Sequence, residues 1–90
     1  MRIRWTPAAA ADLERISDYL KANYPHYLRP TMRKLYDGVQ SLQKYPYRGR
    51  RGQEEGTNEL LFPPLPYIVV YRVTHQAVEI LRAYHGAQRR

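Results

Sequence analysis

Tyr67-Ile68-Val69-Val70-Tyr71-Arg72-Val73 and, four residues later, Val78-Glu79-Ile80-Leu81-Arg82-Ala83-Tyr84 are the stretches that decide the fold. The first is an almost continuous run of β-branched and aromatic residues, which predicts a central strand covered on both faces. Thr74 to Ala77 predicts a tight turn, and the second run its antiparallel partner, so the pair reads as a hairpin. Upstream, Thr57 to Phe62 predicts another strand, stopped by Pro63-Pro64, because proline cannot donate to a ladder. Before it, residues 47–56 hold three glycines and three arginines and read as a loop.

The N-terminal half carries a different period. Arg2-Ile3-Arg4-Trp5 alternates and predicts a short strand with Ile3 and Trp5 inward. Thr6-Pro7 is a helix start, with Thr6 as N-cap and Pro7 at the first helical position. The helix runs to about Asn23. Ala9, Leu13, Ile16 and Leu20 make its apolar stripe, and Asp12, Glu14, Arg15, Asp18 and Lys21 fall mostly off it. Tyr24-Pro25 interrupts it. A second helix is expected from Arg29 to Lys44, with Pro30 in its first turn, Gly38 admitting a close approach, and Met32, Leu35, Tyr36, Val39 and Leu42 inward. The order is strand, two helices, three strands. It predicts one α+β domain over residues 1–90, an antiparallel sheet with two antiparallel helices packed on one face.

Composition narrows the function. Fifteen Lys+Arg against eight Asp+Glu give a formal charge of +7, which favours a polyanionic partner such as nucleic acid or an acidic protein segment. There is no cysteine, which removes disulfides, thiolate nucleophiles and Cys-based zinc from consideration. His26 and His75 have no companions at ligand spacing, so no metal is expected, and no other cofactor. The opening residues lack a leader pattern and no apolar run reaches membrane length, so the expected location is the cytoplasm, with no membrane partner. Nine tyrosines suit both a thin core and an interface.

Trp5-Thr6-Pro7, Arg48-Gly49-Arg50, Gly56-Thr57-Asn58-Glu59-Leu60, Leu65-Pro66-Tyr67-Ile68-Val69-Val70-Tyr71-Arg72 and Arg82-Ala83-Tyr84-His85-Gly86, in this order across the whole chain, resemble the RelE/ParE toxin superfamily. The resemblance implies a growth-inhibiting toxin of a type II toxin–antitoxin module, of the kind that stabilises plasmids. A cognate antitoxin would wrap it in a hetero-oligomer that represses its own operon. RelE-like members cut messenger RNA in the ribosomal A site; ParE-like members poison DNA gyrase and are not known as nucleases.

Metal-free RNA cleavage needs a base for the 2′-OH, cations for the phosphorane and an acid for the leaving oxygen. The candidates for that chemistry are Arg82, His85 and Arg72, with Arg48, Arg50, Arg51 and Tyr84 to hold RNA phosphates and a base. Against it, the resemblance places an arginine of RelE-like nucleases two residues after Pro66, where this chain has Ile68. The odd spacing of Arg82 and His85 also puts them on opposite faces of a regular strand unless it bends near Ala83. The bland alternatives are His85 as a strand-end histidine, Arg82 as a sheet-face arginine paired with Glu79 or Glu59 or with the antitoxin, and a solvated arginine loop. Positive charge and the histidine tip the balance to ribosome-dependent cleavage. Gyrase poisoning is the alternative, and a non-toxic antitoxin-binding subunit the third.

Overall fold

β4 (Leu65–Val73) and β5 (Ala77–His85) form the expected hairpin in the computed structural model, which describes residues 1–88. Its turn is held by Thr74, whose N–H donates to Ala77 O (2.9 Å) and whose Oγ1 accepts from Ala77 N (3.0 Å) and Gln76 N (3.2 Å). β3 (Asn58–Phe62) pairs antiparallel with β4, and β1 (Arg2–Trp5) lies along β5. Two residues of the arginine loop, Arg50–Arg51, add an edge strand, β2, to β3. The sheet order is β1-β5-β4-β3-β2.

The sheet is mixed rather than wholly antiparallel. β1 runs parallel to β5, with Arg2 opposite Ala77 and Trp5 opposite Ile80. The chain between them, both helices included, is long enough for the crossover that parallel neighbours need. α1 (Pro7–Asn23) has the predicted limits, with Thr6 Oγ1 accepting from Ala9 N at 3.1 Å as N-cap. α2 (Pro25–Gln40) starts four residues before the expected Arg29. Pro25 takes the first turn, where its missing N–H costs nothing, and Tyr24 alone links the helices. Pro30 is thereby inside the helix, and a 3-10 turn, Ser41–Gln43, replaces the expected last α-turn. The inward line of α2 is Thr31, Leu35 and Val39; Tyr36, expected in the core, is 54% exposed.

The helices cover one face of the sheet. Leu60, Tyr67, Val69, Tyr71, Val78 and Ile80 meet Ala9, Ile16, Leu20, Leu35 and Val39 there. The reverse face of β4 is not covered along its length, although its apolar run predicts that it should be: Ile68 is buried, Val70 half-buried and Arg72 exposed. No helix among the described residues is long and apolar enough to cross a membrane.

Tyr71, fully buried, ties the arginine loop to the core, since Gly49 N–H donates to its hydroxyl at 3.0 Å. A Cβ on Gly49 would stand 2.5 Å from Glu59 O and 2.7 Å from that hydroxyl. The first is backbone inside the β3 ladder and has little room to yield. Gly49→Ala is therefore expected to destabilise the fold by ~1–3 kcal/mol. At about 4–8 °C per kcal/mol for a domain of this size, that is a clear fall in melting temperature, checked by thermal denaturation.

Candidate functional site

β1 ends at Trp5, opposite Ile80, and the chain leaves the sheet at Thr6-Pro7. From Leu81 onward β5 has no strand on that side. Edge backbone groups need partners when screened from water, and α1 with its cap supplies them. Thr6 N–H donates to Ile80 O (3.0 Å) and Thr6 Oγ1 donates to Leu81 O (3.1 Å). The same Leu81 is an extra residue in the ladder: Tyr71 faces Ile80 and Val70 faces Arg82. The bulge thus falls where the strand neighbour changes into a helix.

Further along α1, Asp12 completes this edge. Its Oδ2 accepts from Ala83 N (2.9 Å) and from Arg82 Nε (2.7 Å), and its Oδ1 from Arg82 Nη2 (3.1 Å) and from Arg15. The helical pattern places Asp12 off the apolar stripe; the structure puts it inside, 3% exposed. The signal for this lies in the spacing: Asp12 is three residues after Ala9 and four before Ile16, on the same line of the helix. Burial by itself would raise its carboxyl. The hydrogen bonds from Arg82 and Ala83 and the charges of Arg82 and Arg15 outweigh it and hold the group below the usual aspartate range. The Asp12 hydrogen bond and charge raise the Arg82 guanidinium in return.

Beside this lock lies an open cleft of about 920 Å³ between α1 and the end of β5, bordered by Tyr19, Leu20, Tyr67, Arg82, Tyr84 and His85. The His85 ring meets Tyr67 edge-on at 5.8 Å, and its Nδ1 accepts from Ala87 N at 3.0 Å. Burial, then the nearby Tyr19, pushes the Tyr67 phenol up. Arg82 and His85 do reach one cleft, but not through a bend near Ala83. From Arg82 to His85 the strand pairs regularly with Val70 to Tyr67. Both border the cleft, with the Arg82 side chain reaching to Asp12 on the helix.

Tyr84, opposite Ile68, borders the same cleft. The other candidates lie elsewhere. Arg72 is exposed opposite Glu79, whose carboxylate pairs with Arg4 at 3.4 Å. Arg50 donates from Nε to Glu59 at 3.0 Å, and Arg48 donates to Ser41 Oγ at 2.7 Å. Arg51 borders a separate hollow with Tyr47 and Glu55. The loop arginines are thus not assembled with Arg82, Tyr84 and His85. Among the described residues no three His, Cys, Asp or Glu side chains group as metal ligands.

Because Asp12 is depressed in the folded chain, it binds its proton less readily there than when unfolded. Its stabilisation is complete above the unfolded value of about 3.9 and is lost as pH falls from there through the lower folded value. Asp12→Asn is expected to flatten that acid limb in urea denaturation series run from about pH 5 down to about pH 2, the window in which a depressed aspartate takes up its proton. Asp12→Ala is expected to cost ~2–4 kcal/mol, since it strands the Ala83 N–H and removes a charge-assisted pair; half-exposed Arg82 can rehydrate, which keeps the loss below that of a fully buried pair.

The description "ParE toxin of type II toxin-antitoxin system, parDE" is that of the family model matching residues 3–90. A candidate toxin, Y4kP, of Sinorhizobium fredii is 36% identical over 97% of this chain and 90% of its own. Toxin RelE2 of Caulobacter vibrioides is 34% identical over 97% of each chain. Among solved structures, a chain of the chromosomal ParDE system of P. aeruginosa superimposes with a TM-score of 0.84 at 27% identity, covering 94% of this chain and 95% of that one. A chain of the RelBE2 toxin–antitoxin complex of Mycobacterium tuberculosis gives 0.65 at 25% identity, over 93% and 95%. The match over nearly the whole length makes this chain a member of the ParE toxin family, a toxin of the type II toxin–antitoxin kind.

Proposed function

We propose that this toxin arrests growth by binding and poisoning DNA gyrase in the cytoplasm, without cutting nucleic acid itself, and that a cognate antitoxin neutralises it. The observation that carries this reading is the commitment of Arg82. A cation that stabilises a phosphorane must be free to move onto its oxygens. Arg82 spends its Nε and an Nη2 N–H on Asp12, a carboxylate that is 3% exposed, and turning the whole fork onto a phosphorane would unpair that buried charge at a cost of several kcal/mol, about the size of the gain sought. Ile68, buried on the reverse face, carries no charge to replace it. Arg72 stands on another row, beside the Arg4–Glu79 pair. The cleft is therefore better suited to holding a protein segment than to running phosphoryl chemistry. The match to the ParE model and the likeness to the P. aeruginosa ParDE chain support the same choice, and the antitoxin complexes among the similar structures support the antitoxin.

Ribosome-dependent cleavage of messenger RNA is the second reading, favoured by one observation: Arg82, Tyr84 and His85 border a single cleft. The two part in the test tube. The gyrase reading expects purified toxin to inhibit supercoiling and to trap linear DNA with gyrase, with translated messages intact by primer extension. It also expects His85→Ala to stay within a few-fold of wild type in growth arrest. Normal supercoiling at excess toxin, together with A-site cuts that vanish in His85→Ala, would reverse the choice.

A further inference from the structure

Three cations cluster on α2, away from those that are paired with carboxylates. On and around the sheet, Arg4, Arg50 and Arg82 each have a carboxylate partner, and Arg15 shares Asp12. On α2, Arg29, Arg33 and Lys34 are all exposed, and no ion pair among the described residues involves them. They spread over the side of the helix opposite the Thr31–Leu35–Val39 line. Arg29 and Arg33 lie on one line a turn apart, about 6 Å along the axis, with Lys34 one residue further round. Tyr27 (62% exposed) and Tyr36 (54% exposed) flank the three, and Asp37 is the one acid of the helix.

We infer that the outward face of α2 is a docking surface for the phosphate backbone of duplex DNA, separate from the cleft at β5. Between Arg29 and Lys34 the outward side chains are a proline and cations, a charge complement to a polyanion. Guanidinium forks one helical turn apart can each take a phosphate on the same strand, and a lysine beside them adds a point charge. The tyrosine hydroxyls can donate to the same backbone. Contacts to phosphates carry no sequence information, so the binding is sequence-independent and salt-dependent. The choice of DNA over an RNA duplex rests on the gyrase reading, since gyrase holds duplex DNA; the cationic face itself does not depend on it.

The experiment is fluorescence anisotropy of the full chain with a labelled DNA duplex of about 20 base pairs across a salt series, without gyrase, so that its outcome is independent of the supercoiling assay. Wild type is expected to bind in the weak, non-specific range of about 10⁻⁴–10⁻⁶ M. Loss of three phosphate contacts in Arg29→Ala/Arg33→Ala/Lys34→Ala should lower the slope of log K against log salt by about 2–3. Asp37→Asn should tighten binding. Arg2→Ala/Arg72→Ala, on the sheet, should leave the slope unchanged, and circular dichroism checks that each variant keeps its helices. An unchanged slope in the triple variant, or an equal fall in the sheet variant, overturns the surface. Tighter binding of an RNA duplex or of the single strand overturns the assignment to duplex DNA.

Discussion

A carboxylate buried at the edge of the sheet holds the two layers of this toxin together. Asp12 takes hydrogen bonds from the backbone of Ala83 and from the side chain of Arg82, and it shares its charge with Arg15. Such a group is costly to bury unless its lone pairs are used. Here they finish a strand edge that β1 leaves open after Trp5. The α1 segment therefore does two things: its apolar line fills the core, and its polar residues Thr6 and Asp12 replace a missing strand. The bulge at Leu81 sits between those two polar contacts, so the register of β5 and the position of α1 depend on one another.

The function follows from where charge is neutralised. Near the cleft, Arg82 and Arg15 share a carboxylate, which makes a shaped and aromatic recess with modest net charge. A recess with Tyr19, Tyr67 and Tyr84 at its border presents large rigid surfaces with polar tips, the kind of surface that grips a protein segment. On α2 the cations Arg29, Arg33 and Lys34 have no ion pair among the described residues. One small fold thus separates an aromatic recess from a cationic helix face. The arginine loop belongs to neither: Tyr71 holds it from within the core through Gly49, and Glu59 and Ser41 take Arg50 and Arg48.

By itself the sequence determined the elements and their layering. Periods of two and of three to four, Thr6-Pro7 and the Pro63-Pro64 stop are local signals, and local sterics and capping act over a few residues. They yielded the hairpin, α1 to its ends, the α+β class and, through the ordered motifs, the family. Helix limits near Pro25 and Pro30 were less legible, because either proline can open a helix.

The tertiary structure decided what depends on contacts between distant residues. The parallel pairing of β1 with β5 could not be read from Arg2–Trp5 alone, since alternation is the same in both directions. Asp12 and Arg82 are 70 positions apart, and nothing in either neighbourhood names the other. Their pairing ties Arg82 to α1, and the stretch Arg82 to His85 forms one wall of a recess. The physical reason is the open edge of β5: a backbone N–H at Ala83 without a strand neighbour had to find an acceptor, and the helix that replaced the strand carried one.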